Sequence, residues 1–200
     1  MRRPRRKAEE TRQDILATAE ELFRQRGIAK TSIADIALEL GMSPANVFKH
    51  FHTKTVLVDA ICERHINRMI ESFATHDHAA PAPERLPLVV CKLMEAHLQH
   101  IRENPFFLEM MFVRSDTQSH SGQRYGALIE ELFGELIRQG TESGVYHCTD
   151  LAATSRYVTA AFVSVLHPVF LADAKKDELQ DRCGGLAELV NAALQSPLAK

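Results

Sequence analysis

The sequence predicts an all-α protein in which a small helix-turn-helix domain precedes a larger helical domain. Three observations carry that expectation. Apolar residues recur at spacings of three and four along most of the 200 residues, the pattern of one helix face. Strand signals are weak and hairpin pairs such as Asn-Gly are missing. Glycine and proline close and open successive patterns at helix-length intervals, so about nine helices are expected in two domains, residues 1–55 and 56–200.

In chain order, Arg2, Arg3, Arg5, Arg6 and Lys7 form an arm without apolar periodicity. A first helix, about Glu9 to Arg26, carries the stripe Ile15, Leu16, Ala19, Leu22 and Phe23, and Gly27 ends it. The stretch Thr31 to Lys54 then holds two short helices. Ile33, Ile36, Ala37 and Leu40 line one face of the first, Ser32 with Asp35 makes a variant capping box, and Gly41 turns the chain. Ser43 followed by Pro44 restarts a helix. Val47 and Phe51 turn back to the first helix, which leaves Pro44, Ala45, Asn46, Phe48, Lys49 and His50 facing outward or flanking the contact. Two short helices on a tight turn, the second offering its outer face, suit the roughly 12 Å major groove of DNA. On periodicity alone an ordinary helical hairpin fits equally well.

The spaced set Ile36, Ala37, Gly41, Ser43, Phe48, His50, Phe51 and Lys54 resembles the DNA-binding domain of the tetracycline-repressor (TetR) family of transcriptional regulators. The resemblance runs from Thr11 to about Leu57. One position departs from it, because Phe48 stands where the family usually has Tyr and lacks the hydroxyl that could reach a phosphate. The resemblance implies a bridging helix from the DNA-binding unit to a variable regulatory half, and subunits paired through a four-helix bundle.

Charge agrees with a nucleic-acid partner at one end. Through Thr55 there are 11 Lys and Arg against 7 Asp and Glu, a balance of +4, whereas the remainder carries 13 against 19, or -6. The arm Arg2, Arg3, Arg5, Arg6 and Lys7 is therefore read as tracking phosphates or entering the minor groove rather than as a solubilising tail. Asn46 is expected to pair with adenine, Lys49 with guanine, and Pro44 or Ala45 with a thymine methyl. Thr31, Ser32, Phe48, His50 and Lys54 are expected nearer the backbone, with Ser43 opening the helix.

Beyond Thr53 a bridging helix should run to about Ala74, followed by a loop over His76 to Glu84. A helix from Leu86 to about Glu103 precedes Pro105 to Val113, the most apolar run, read as a short buried helix. Another is expected over about Gly122 to Gly140, with Gly140 and Gly144 punctuating a turn. The last two are expected over about Asp150 to Ala172, kinked near His167 by Pro168, and Lys176 to Leu194. Their stripes are Leu151, Ser155, Val158, Phe162, Val165, Val169 and Leu179, Cys183, Leu186, Leu189, Val190, Ala193. They either pair two subunits or close the monomer's core, and the exposed alternative is favoured because a palindrome needs two recognition helices. Met94, His97, Phe106, Phe107, Met110, Met111, Phe133 and Phe162 are candidate linings of a pocket for an apolar or amphipathic effector, with plain core as the alternative.

The four cysteines, Cys62, Cys91, Cys148 and Cys183, are scattered with none in a CxxC pair, and no signal peptide or long apolar span is present, so a cytoplasmic protein is expected. No cofactor and no metal site is expected, since the histidines form no closed ligand set. A helical enzyme would need convergent polar groups, and Glu95, His97 and His100 have no accompanying nucleophile or phosphate loop. A helical interaction module would explain the stripes but not the basic arm. The expected function is a ligand-responsive transcriptional regulator, read as a repressor, that binds a palindromic DNA operator as a homodimer without a membrane partner. Activation instead of repression, and redox or metal sensing by the cysteines and histidines, stay open at this level.

Overall fold

The computed structural model describes residues 8–73, 80–104, 106, 108, 109 and 120–196. Among them all regular structure is helical: α1 (Ala8–Arg26), α2 (Ile33–Glu39), α3 (Pro44–His50), α4 (Lys54–Phe73), α5 (Ala82–Glu103), α6 (His120–Glu142), α7 (Leu151–Ala161), α8 (Val163–Leu166), α9 (Pro168–Leu171) and α10 (Lys176–Gln195). The chain forms two compact units, one of residues Met1–Ile70 with Asn104–Ser121, the other of Glu71–Glu103 with Gly122–Lys200. Packing thus divides the chain differently from the expected boundary at residue 55, because Leu57, Val58 and Ile61 of α4 are buried in the same core as α1 to α3.

In the first unit, Ile15, Leu16, Ala19, Leu22 and Phe23 of α1 meet Ile33, Ile36 and Ala37 of α2, Val47 of α3 and Phe51. Phe106 belongs to this core as well, its ring centroid 6.0 Å from that of Phe23. Glu20, one turn beyond Leu16, is buried with the stripe and ion-paired to both Arg64 and His65 of α4, the latter at 2.8 Å. Burial alone would raise its pKa, but the hydrogen bond and charge of His65 and the charge of Arg64 outweigh that and hold it at about 2. The ion pairs therefore fasten α1 to α4.

In the second unit α5 packs along α10 and against α8 and α9. Pro87 lies inside α5 and has no N–H to give the carbonyl of Pro83. Asn191 of α10 supplies the missing donor, its Nδ2 lying 2.8 Å from that carbonyl, while its Oδ1 accepts from the Tyr146 hydroxyl. Gly140, expected to punctuate a turn, is inside α6, and its reason is close approach: a Cβ there would lie 2.2 Å from the Tyr146 ring. Gly144, the other glycine expected there, does make the turn, at φ 76, with the N–H of Val145 donating back to the Gly140 carbonyl at 2.9 Å.

Two expectations need correcting here. The helix expected over Asp150 to Ala172 is three helices. The break at His167 has the anticipated cause, since a residue before proline is held extended, here at φ -79 and ψ 126. The break at Phe162 was not anticipated; its ψ is 0, and its N–H is shared between the carbonyls of Val158 and Thr159 while its ring stacks on Phe133 at 5.3 Å. The second correction concerns the stripes. Ser155, Val158, Phe162 and Val165, like Leu179, Cys183 and Val190, are buried inside the unit and close the monomer's core, whereas Leu151, Val169, Leu189 and Ala193 of the same stripes are exposed. Tyr157 and Phe170, which lie outside the stripes, are exposed on the same stretch as well.

Candidate nucleic-acid interface

The helix-turn-helix is built by two caps of different kinds. At the start of α2 the Ser32 Oγ accepts from the Asp35 backbone N–H at 3.2 Å and donates to the Asp35 carboxylate at 2.6 Å, and the Ser32 N–H donates to that carboxylate at 2.7 Å. This completes the capping box, and the hydrogen bonds from Ser32 hold the Asp35 pKa down. At its end Gly41 adopts φ 62, with the Met42 N–H donating to Ala37 and the Gly41 N–H to Leu38. That pairing is a Schellman motif and sets the angle at which α3 leaves.

Ser43 occupies the N-cap of α3, but its side chain makes no capping bond; Pro44 at the first helical position and the Asn46 N–H donating to the Ser43 carbonyl at 2.9 Å start the helix. The Ser43 hydroxyl is thus left in solvent. Val47 is fully buried and Phe51 nearly so, with the Arg12 guanidinium 5.0 Å from the centre of the Phe51 ring. Ser43, Pro44, Ala45, Asn46, Phe48 and Lys49 are exposed, while His50 and Lys54 are half-buried. This outer surface is held by two side chains anchored in the core and by α1 behind them.

Thr31 is placed otherwise than expected. It is buried, its hydroxyl donates to the Gly27 carbonyl at 2.9 Å and its N–H to Ile28, so it locks the turn between α1 and α2. A phosphate contact would require breaking that lock. Arg2, Arg3, Arg5, Arg6 and Lys7 lie outside the described residues, as do Phe107, Met110 and Met111.

The remaining pocket candidates separate. Phe106 sits in the core of the first unit, beside Phe23, whereas Met94, Phe133 and Phe162 are packed in the core of the second. His97 is buried in that second unit between two polar partners: its Nδ1 donates to the Leu93 carbonyl at 2.7 Å, which leaves Nε2 to accept from the Tyr125 hydroxyl at 2.7 Å. Burial holds the His97 pKa at about 4, helped by His167, and pushes that of Tyr125 up. A separate open groove of about 750 Å³ is lined by Glu130, Glu131, Glu135, Arg138 and Arg156 among others and shares no residue with the expected apolar pocket. Among the described residues no group of three or more His, Cys, Asp and Glu is placed to hold a metal ion.

Sequence reasoning missed two positions. Glu109 accepts from the backbone N–H of Ile28 at 2.9 Å and of Ala29 at 2.7 Å, capping the turn that leads into α2. Its signal was a single acid inside the apolar run PFFLEMMFV, which needs a partner once buried. Glu20 carried the same kind of signal, a carboxylate at a stripe position of α1.

A capped helix-turn-helix whose second helix turns Asn46 and Lys49 to solvent, with Pro44, Ala45 and Phe48 beside them, has the geometry of a DNA-binding transcriptional regulator. The comparisons agree. Residues 15–61 match the family described as bacterial regulatory proteins, tetR family, and residues 82–187 match the tetracyclin repressor-like C-terminal domain. The chain belongs to the TetR family of transcriptional regulators. It is 38% identical over 84 residues to the regulator TtgR of Pseudomonas putida, a stretch covering 42% of this chain and 37% of TtgR. Among solved structures, a TetR transcription regulator from Haloarcula marismortui superposes with a TM-score of 0.71 at 23% identity, over 94% of this chain and 100% of that one. RolR in complex with the ligand resorcinol gives 0.65 at 15% identity, over 96% and 97%. These structural likenesses establish the fold. No described helix is long and apolar enough to cross a membrane.

Proposed function

We propose that the protein is a ligand-responsive repressor that binds a palindromic operator as a homodimer and is released by a small apolar or amphipathic effector. The observation that carries the DNA half is the exposed face of α3, where Asn46 and Lys49 stand free while Val47 and Phe51 fix the helix from behind. In this reading Asn46 pairs with adenine, Lys49 donates to guanine, and Pro44 and Ala45 touch thymine methyls. Ser32, Ser43, Phe48, His50 and Lys54 lie along the phosphates, with Lys54 at the positive end of α4, and the basic arm adds affinity without reading sequence.

Pairing of subunits would use the outer sides of the C-terminal helices. Tyr157, Val163, Phe170 and Leu189 are exposed there among Ala152, Ala160, Ala161, Ala192 and Ala193, small residues that let helices approach closely. The effector half rests on Met94, Phe133 and Phe162 with the His97 and Tyr125 pair beside them, an apolar set with one polar anchor. The resorcinol bound as a ligand by RolR is a small molecule of that general kind. An effector that favours a dimer with wrongly spaced recognition helices weakens operator binding by linkage, and the operator weakens effector binding equally.

Selection of genomic fragments on the full-length protein, followed by a salt titration of the enriched site, tests this reading. An inverted repeat with half-sites about 34 to 36 Å apart, or a multiple of that, is the expected result. Fragments sharing no repeat, or a single half-site bound as well as the pair, would contradict it.

A further inference from the structure

Cys91 of α5 and Cys183 of α10 are 92 positions apart in sequence, yet their Sγ atoms are 3.1 Å apart. Neither is bonded to another sulfur. An S–S bond is about 2.05 Å long, so closure requires the sulfurs to approach by about 1 Å. The two other cysteines are placed apart from this pair: Cys62 is in the core of the first unit, and the Cys148 thiol donates to the Thr154 hydroxyl at 3.4 Å.

We propose that Cys91 and Cys183 are a dithiol site that closes into a reversible intramolecular disulfide when the protein meets a hydroperoxide. Their accessibility assigns the order of events. Cys91 is half-buried and so is the member of the pair that a small oxidant meets first, whereas Cys183 is fully buried. Burial, the contact with Cys91 and the charge of Glu95 all push the Cys183 thiol up, which suits it to the second step rather than the first. The Cys91 sulfur attacks one peroxide oxygen and becomes a sulfenic acid as the O–O bond breaks, releasing water or an alcohol. The Cys183 sulfur then attacks the Cys91 sulfur, loses its proton, and displaces the sulfenic oxygen as a second water. Two thiols have lost two electrons and two protons, and one hydroperoxide has been reduced. A thiol such as dithiothreitol reverses the step by exchange. Because the partner sulfur is already in contact, capture of the sulfenic acid outruns its further oxidation, and the product ties α5 to α10.

The test uses the full-length chain and hydrogen peroxide. After oxidation and alkylation, tryptic peptides 86–92 and 183–200 are expected as one linked species, two hydrogens lighter than their sum and separated again by dithiothreitol. Thiols titrated in denaturant should fall from the four in the sequence to two. Cys91→Ser and Cys183→Ser should each abolish the linked species while leaving the helical circular dichroism unchanged. Four titratable thiols after peroxide, Cys91 recovered as sulfinic acid without linkage, or a disulfide joining two chains would overturn the proposal. None of these readouts depends on the operator or the effector.

Discussion

Single side chains decide how the turn and the first unit hold together. Glu109 gives two acceptor oxygens to two backbone N–H groups, one of them part-buried, and hydrogen bonds to a charged group are worth about 1.5–3 kcal/mol. Glu109→Ala should therefore lower unfolding stability by about 2 kcal/mol, and Glu109→Gln, which keeps one acceptor, by roughly half that, measured by denaturant titration. A full loss for Glu109→Ala beside none for Glu109→Gln would show that the side chain acts only through packing. A second residue-level prediction concerns acid. Glu20 has its pKa depressed from 4.5 to about 2, so its contribution is complete above 4.5 and is lost as pH falls through 2. His97 is held neutral at about 4 against an ordinary 6.5, so the unfolded chain takes up its proton first and stability falls as pH drops from 6.5 to 4. Thermal midpoints followed by circular dichroism should decline through both windows, and Glu20→Gln should flatten the lower one alone. An unchanged slope below pH 4.5 in that variant would sink the assignment.

At the scale of elements, two glycines of α6 make opposite demands. A methyl at Gly140 would meet the Tyr146 ring, whereas one at Gly126 would meet nothing within 4 Å. Gly140→Ala should cost about 1–3 kcal/mol or more, because an overpacked site must shift its neighbours. Gly126→Ala should gain about 0.5–1 kcal/mol by removing chain entropy from the unfolded state. Thermal unfolding of the two variants checks the pair, and a shared sign would contradict the account. The example also shows what was legible. Caps written in neighbouring residues could be read, as with Ser32 and Asp35 or Gly41, because their partners lie within a turn. Gly140 was misread because its partner Tyr146 reaches it across a turn whose geometry is tertiary. Pro168 announced the break at His167, while the break at Phe162 carries no local signal.

For the whole molecule, the sequence made the helical class and the outward face of α3 readable, since both follow from periodicity. It did not say which side of the C-terminal helices faces inward. A stripe of Ser155, Val158, Phe162 and Val165 can close a core or an interface equally well, and only packing against α5 and α6 decides. Phe106 illustrates the same limit, since an apolar run does not say which core it joins. If the exposed sides of α7 and α10 pair two subunits, Leu189→Glu should yield a folded monomer in sedimentation velocity and lose operator affinity, the charge being costly to bury. A variant that sediments as the wild type does would contradict that pairing.

In the proposed function α3 reads bases while its flanks hold the backbone. This division of roles is tested most directly by measuring, on the selected operator and on a scrambled duplex, the affinities of the wild type, Asn46→Ala and Lys54→Ala across a range of salt. Asn46→Ala should cost about 1 to 3 kcal/mol, roughly 5- to 150-fold, on the operator and leave scrambled DNA unaffected. Lys54→Ala should weaken both duplexes alike and reduce the salt slope by about 1. Equal losses on both duplexes for Asn46→Ala would contradict that division of roles.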